Sequence, residues 1–231
     1  MRGRDVLQGA ADLVLGAHCA GCGRPGLGPC AACTASVAGR RPQRVLELPG
    51  DLPAVFAGGI YSEELRRLLL AAKERNALGL VPLLGDRLAA AVAAWVLADG
   101  GGEPVLLVPV PTASAQVIDR GLDLTCTLAR LAARRLRQAG LPTRSWTGLR
   151  LRRRPLDQSE LGREGRLVNV VDAFTVPGPM PPGRIVVVDD IVTTGATLRE
   201  AVRACTAAGR APSAAAAVAA TPRTGTRRGA R

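Results

Sequence analysis

A chain of 231 residues with 47% hydrophobic content can bury the core of one ordinary domain with a small appendage, which excludes general disorder. Only 2% of it is aromatic, so the core must be built from Ala, Val and Leu, and single-stranded nucleic acid could find few stacking platforms. The formal charge of +12 invites anionic partners such as DNA, yet Lys73 is the only lysine among the 31 basic residues, and this arginine bias beside heavy alanine use reads partly as a coding bias.

In chain order, Met1–Arg4 and the apolar patch after it do not form an export signal, because Gln8 and Asp12 interrupt the patch and His18 is a poor residue at a cleavage site. A cytoplasmic protein without membrane insertion is expected, since no apolar run approaches the ~18 residues that span a bilayer. Cys19-Ala-Gly-Cys22 and Cys30-Ala-Ala-Cys33 are two CxxC pairs separated by seven residues. Each pair turns two thiolates toward one point, and together they complete a tetrahedral four-sulfur shell for structural Zn2+. Two disulfides or a redox pair are the alternatives, and an oxidising compartment has no other support in the sequence. His18 is a bystander or a substitute ligand. Residues 1–40 are thus read as the zinc-binding segment and 41–53, rich in Arg, Pro and Gly, as a linker.

Residues 54–222 should form an α/β domain and 223–231 a basic disordered tail. Leu65, Leu68, Leu69 and Ala72 recur at helical spacing and predict a helix over 62–75. A second helix is expected over 82–98, a buried strand over 105–111, a helix over 122–139 and a strand over 143–150. Residues 151–169 are arginine-rich without clear period. The run 185–188 reads as a second buried strand, 196–208 as a helix and 214–220 as a last strand. Strands alternating with helices predict a parallel sheet flanked by helices. Cys126 and Cys205 lack a partner pattern and are read as buried packing residues.

The densest chemistry lies in RIVVVDDIVTTGATLREA, residues 184–201. A strand apolar on both faces carries Asp189 and Asp190 to its carboxyl end, where open α/β sheets place ligands. Two ionised carboxylates are acceptors suited to neighbouring hydroxyls, such as those of a ribose. Thr193, Thr194, Gly195, Ala196 and Thr197 then lead into a helix whose first amides, threonine hydroxyls and dipole can hold a phosphate. Carboxylates and phosphate cradle together describe a ribose 5-phosphate. A capping box of Thr197 and Glu200 on an ordinary helix is the simpler alternative, and it accounts for Thr197 alone.

The stretch VVVDDIVTTGATL at 186–198, with Ile185 before it, resembles the phosphoribosyl pyrophosphate motif of type I phosphoribosyltransferases, and the chain resembles their ComF branch, named for a part in DNA uptake during competence. The paired CxxC segment, the helix ending at Lys73, the loop VPVP, Arg120-Gly121, and Gln158, Leu161, Arg166, Asn169 and Phe174 carry the rest of the likeness. The family commonly reads Arg-Gly-Phe-Asn-Gln where this chain has Arg120-Gly121-Leu122-Asp123-Leu124. The resemblance implies a type I phosphoribosyltransferase-like fold, with phosphoribosyl pyrophosphate bound together with Mg2+ and the phosphoribosyl group transferred to a nitrogen acceptor. Asp189 and Asp190 would be the catalytic and ribose-holding pair, Thr193–Thr197 the phosphate loop, and Arg120 and Lys73 candidates for contact with pyrophosphate. A second reading is a non-catalytic, zinc-containing adaptor that uses the motif as a sensor or scaffold and binds DNA or the uptake machinery.

Overall fold

Apolar strands that show side chains on both faces need cover on both faces, and this requirement organises the chain. The computed structural model describes residues 18–26, 28–46, 48, 50–74, 77–112, 123–152 and 172–221. The described strands are β1 (Gln43–Val45), β2 (Ala54–Ala57), β3 (Val105–Pro109), β4 (Thr143–Ser145), β5 (Arg150–Leu151), β6 (Phe174–Thr175), β7 (Arg184–Val192) and β8 (Ala214–Ala220). Six form one sheet in the order β1-β2-β8-β7-β3-β4. Its neighbours run parallel except β1, which pairs antiparallel with β2. The sheet is therefore mixed rather than parallel throughout, and its antiparallel edge comes from the span expected as a linker.

Helices α1 (Ala31–Ala38), α2 (Glu63–Glu74), α3 (Val81–Asp99), α4 (Leu124–Gln138) and α5 (Ala196–Ala207) complete the regular elements, with one 3-10 turn over Leu78–Leu80. Val105, Leu107, Val186 and Val188 face a core shared with α2, α3 and α4, whereas Leu106, Val108, Ile185 and Val187 face a second core shared with α5. That alternation is the two-residue period of a strand covered on both sides. Strand β8 is alanine except for Val218, and every residue in it is buried. Short side chains at this centre let α3 pack close against the strand.

The helical span 78–99 that contains α3 has, by length and composition, enough hydropathy to cross a membrane, which the sequence reading of this region did not anticipate. Its apolar surface is used inside the protein: Leu84, Leu88, Ala91 and Val92 are fully buried against the sheet and neighbouring helices. Arg87 of this helix is buried too and donates to the carbonyls of Gly58 (3.0 Å), Ala38 (2.8 Å) and Arg40. It ties the segment after α1 to the end of β2, and burial lowers its pKa.

Helix α4 is capped by Asp123, whose carboxylate accepts from the Cys126 amide at 2.9 Å, so the helix begins two residues later than the period alone indicated. The strand expected over 143–150 is broken. Trp146 still donates its amide to Leu107 at 2.9 Å, but its ring then folds over Gly148, leaving no room for a side chain there. Leu149 turns into the second core, and Arg150–Leu151 pairs with Phe174–Thr175 as a separate antiparallel ribbon. Arg120, Arg153, Arg154, Gln158, Leu161, Arg166, Asn169 and the tail 223–231 lie outside the described residues.

Candidate functional site

Strand β7 does not stop at Val188. It runs on to Val192, because β8 keeps pairing with it as far as Val192↔Ala220. On its other side the partner leaves sooner: Pro109↔Val188 is the last β3 register pair, followed by one bond from the Val110 amide to the Val188 carbonyl at 2.9 Å. Asp189 and Asp190 therefore lie inside a strand rather than after one, yet they flank the gap where β3 diverges. A divergence at the carboxyl ends of parallel strands is where α/β sheets form ligand crevices.

Both aspartates are buried. Asp189 accepts from the Asp190 amide at 2.8 Å, and Asp190 accepts from the Ile191 amide at 2.9 Å. Burial first, and then the charge of Asp190, push the Asp189 carboxyl well above its ordinary range. Lys73 from the last turn of α2 places Nζ 2.7 Å from Asp190 Oδ2 and opposes that rise. Asp190 has a cation beside it, whereas the surroundings of Asp189 shift it toward its protonated form. A pair holding one proton can donate to one hydroxyl and accept from another, which still matches a diol.

After β7, Thr193 and Thr194 are exposed and Gly195 is the N-cap of α5 in the left-handed conformation, with φ 75°. A side chain at 195 would be strained by that φ and would also meet Leu52 Cδ1 at 3.0 Å. Leu48 and Leu52, from the supposed linker, thus cover one side of this turn. No side chain caps α5; the Thr194 hydroxyl comes only to 3.4 Å from the Ala196 amide. The capping box of Thr197 and Glu200 does not form. Glu200 instead accepts from the Phe174 amide at 3.1 Å and pairs with Arg203 at 2.7 Å, holding the β5–β6 ribbon on α5. Apart from that long bond from the Ala196 amide, the first amides of α5 lack partners within the helix, as at any helix start, and are suited to an anion.

Three residues after β3, the Thr112 hydroxyl donates to Asp123 Oδ1 at 3.4 Å. Asp123, which departs from the resembled family's pattern, is thereby occupied as a cap.

The four cysteines assemble as the spacing required. The sulfurs of Cys19, Cys22, Cys30 and Cys33 all lie within 4.8 Å of one another, with Cys22 and Cys30 at 3.6 Å, and none is in a disulfide. Tetrahedral Zn2+ with bonds of about 2.3 Å separates its sulfurs by about 3.8 Å, so the group fits such a metal with a small contraction. Burial alone would raise the Cys19 thiol, but the amides of Cys30, Cys22 and Gly21 outweigh it and bring it down to about 6, which favours the thiolate that a metal needs. His18 is not one of the four clustered residues, and its backbone forms an isolated antiparallel bridge with Pro25.

Helix α1, absent from the sequence reading, begins between the ligands: Cys30 is its N-cap and Cys33 lies in its first turn. The cysteine module rests on α2. The Gly21 carbonyl accepts from Arg67 at 3.4 Å, Ser36 donates to Glu64 at 2.8 Å, and a Cβ at Gly21 would stand 2.8 Å from the Cys33 sulfur and 3.3 Å from Leu68. One helix thus supports the metal-ready cluster through Glu64, Arg67 and Leu68 and reaches Asp190 with Lys73. Nothing local in the sequence announces that link, since its partners are 117 residues apart. Cys205 is buried as expected, and burial raises its thiol to about 11. Cys126 is only half-buried, because the first turn of α4 leaves it at the edge of the core.

A scan against protein-family models finds no match to the chain, and a search of curated proteins likewise finds none.

Proposed function

We propose that the protein binds phosphoribosyl pyrophosphate, or another ribose 5-phosphate ligand, at the carboxyl end of β7, as a phosphoribosyltransferase-like protein of the ComF type. One observation carries the reading: a buried carboxyl pair beside the β3–β7 divergence is followed within a few residues by an uncapped helix start. Asp189 and Asp190 would engage the ribose hydroxyls, while Thr193, Thr194 and the amides of Ala196 and Thr197 hold the 5-phosphate. Lys73 favours a charged Asp190 and adds a cation near the incoming ligand.

In the transfer reaction, the bond from C1 to pyrophosphate breaks and its electron pair leaves with pyrophosphate. A nitrogen lone pair forms the new bond to C1, and the nitrogen proton departs to water or pyrophosphate. The carboxyl pair would offset positive charge developing on the ribose. Mg2+ favours hard oxygen donors and keeps substrate phosphates among them. If Mg2+ accompanies the pyrophosphate, Asp189 and Asp190 would supply the protein's oxygen donors to it. The four-cysteine cluster would hold structural Zn2+, because its four positions are filled by protein sulfur and leave none open for chemistry.

Titration calorimetry of phosphoribosyl pyrophosphate with Mg2+ into zinc-loaded protein tests the reading, beside an Asp189→Asn/Asp190→Asn variant. Binding to the wild type that the variant loses is the expected result. No binding to folded wild type refutes it. Binding without pyrophosphate release, across a panel of nitrogen acceptors, would favour the sensor or adaptor role over the enzyme.

A further inference from the structure

Three arginines from three different elements converge at the amino ends of β3, β4 and β7, the end of the sheet remote from Asp189 and Asp190. They line a cleft of about 590 Å3, a volume ordinary for a small-molecule site, with Pro104 and Pro142 among its walls. Proline offers no N–H, so polar recognition on those walls falls to side chains. Arg137 comes from the end of α4, Arg144 from β4 and Arg210 from the connection between α5 and β8; Glu103 is the single carboxylate in the lining.

Two of the guanidinium groups are fixed from behind by neutral acceptors. Arg137 Nη1 donates to the Thr143 carbonyl at 2.6 Å. Arg210 donates to the carbonyls of Met180 at 3.3 Å, of Gly183 at 2.5 Å, and of Pro181. Carbonyls hold these groups in place without cancelling their charge. Among the described residues none of the three arginines makes an ion pair. An apolar cleft with three fixed or adjacent positive charges and one negative charge is complementary to an organic anion.

We propose that this cleft is a second small-molecule site, taking an organic anion whose phosphate or carboxylate sits among Arg137, Arg144 and Arg210 and whose apolar body lies between the prolines. The site does not depend on the ribose-phosphate reading, and its ligand approaches from the other end of the sheet.

The test is calorimetry on the metal-loaded, full-length protein with three probes: 1-naphthyl phosphate, 1-naphthoate and the neutral 1-naphthalenemethanol. The expected result is saturable binding of one or both anions and none of the neutral probe, the two anions separating phosphate from carboxylate preference. The Arg144 side chain is exposed and makes no hydrogen bond among the described residues, so Arg144→Glu should fold normally and weaken the anions by about tenfold or more. Arg144→Gln should give a smaller loss in the same direction, and Glu103→Gln should tighten binding by about two- to fivefold. Asp190→Asn should leave the affinities unchanged. The proposal is overturned if neither anion binds at millimolar concentration, if the neutral probe binds as well as the anions, or if binding falls with Asp190→Asn and not with the Arg144 variants.

Discussion

Removing the Lys73 ammonium tests the link between α2 and the aspartate pair directly. Lys73 is 36% exposed at its side chain and Asp190 9%, with 2.7 Å between their charged atoms, so the pair lies between two known regimes. Exposed pairs contribute about 0.2–1 kcal/mol, whereas deleting one partner of a fully buried pair costs about 3–5 kcal/mol. Lys73→Met keeps the apolar stem and should cost about 1–3 kcal/mol, because Asp190 remains buried beside Asp189 without its cation. Asp190→Asn removes the charge that Lys73 serves, so adding Lys73→Met to it should cost much less. Urea unfolding of the metal-loaded wild type, both single variants and the double variant gives the coupling energy, expected at about 1–2 kcal/mol. A coupling below about 0.3 kcal/mol would show that the two groups act independently and would remove Lys73 from the site.

Metal removal should act on the whole fold, since the cluster rests on α2: zinc-loaded protein should contain about one ion per chain by elemental analysis, and chelation should lower its thermal midpoint. Gly21→Ala should cost about 1–3 kcal/mol in denaturant unfolding and weaken zinc retention, as the added Cβ would press on the Cys33 sulfur and Leu68; unchanged stability and retention would contradict that packing. The raised Asp189 carboxyl sets a pH dependence. Its stabilising contribution is complete below its ordinary value of 3.8 and is lost as pH rises above that value through its raised folded one, so ligand-free Asp189→Asn should lose less stability than wild type as pH rises above 3.8. Parallel stability–pH curves for the two proteins would refute the assignment.

The sequence by itself determined the elements whose signals are local. Helical periodicity fixed α2 and α3 to within one or two residues, and the continuous apolar run announced β7 as a strand covered on both faces. The paired CxxC spacing determined the sulfur cluster, because two short loops with paired thiols have few ways to bury them. Local signals failed where a strand was short or its partner distant. β1, three residues long, was hidden in an Arg- and Pro-rich stretch and β2, four residues long, just after it, and they form because β8 offers an unpaired edge to β2. The end of β7 was set by unequal neighbours, β8 pairing to Val192 while β3 departs at Pro109, which no pattern within residues 184–192 encodes. Tertiary structure alone decided that Lys73 meets Asp190, that Leu48 and Leu52 cover Gly195, and that Arg137, Arg144 and Arg210 share a cleft. Hydrophobic periodicity is written along the chain, whereas charge placement across it depends on strand order and on where each neighbouring strand ends.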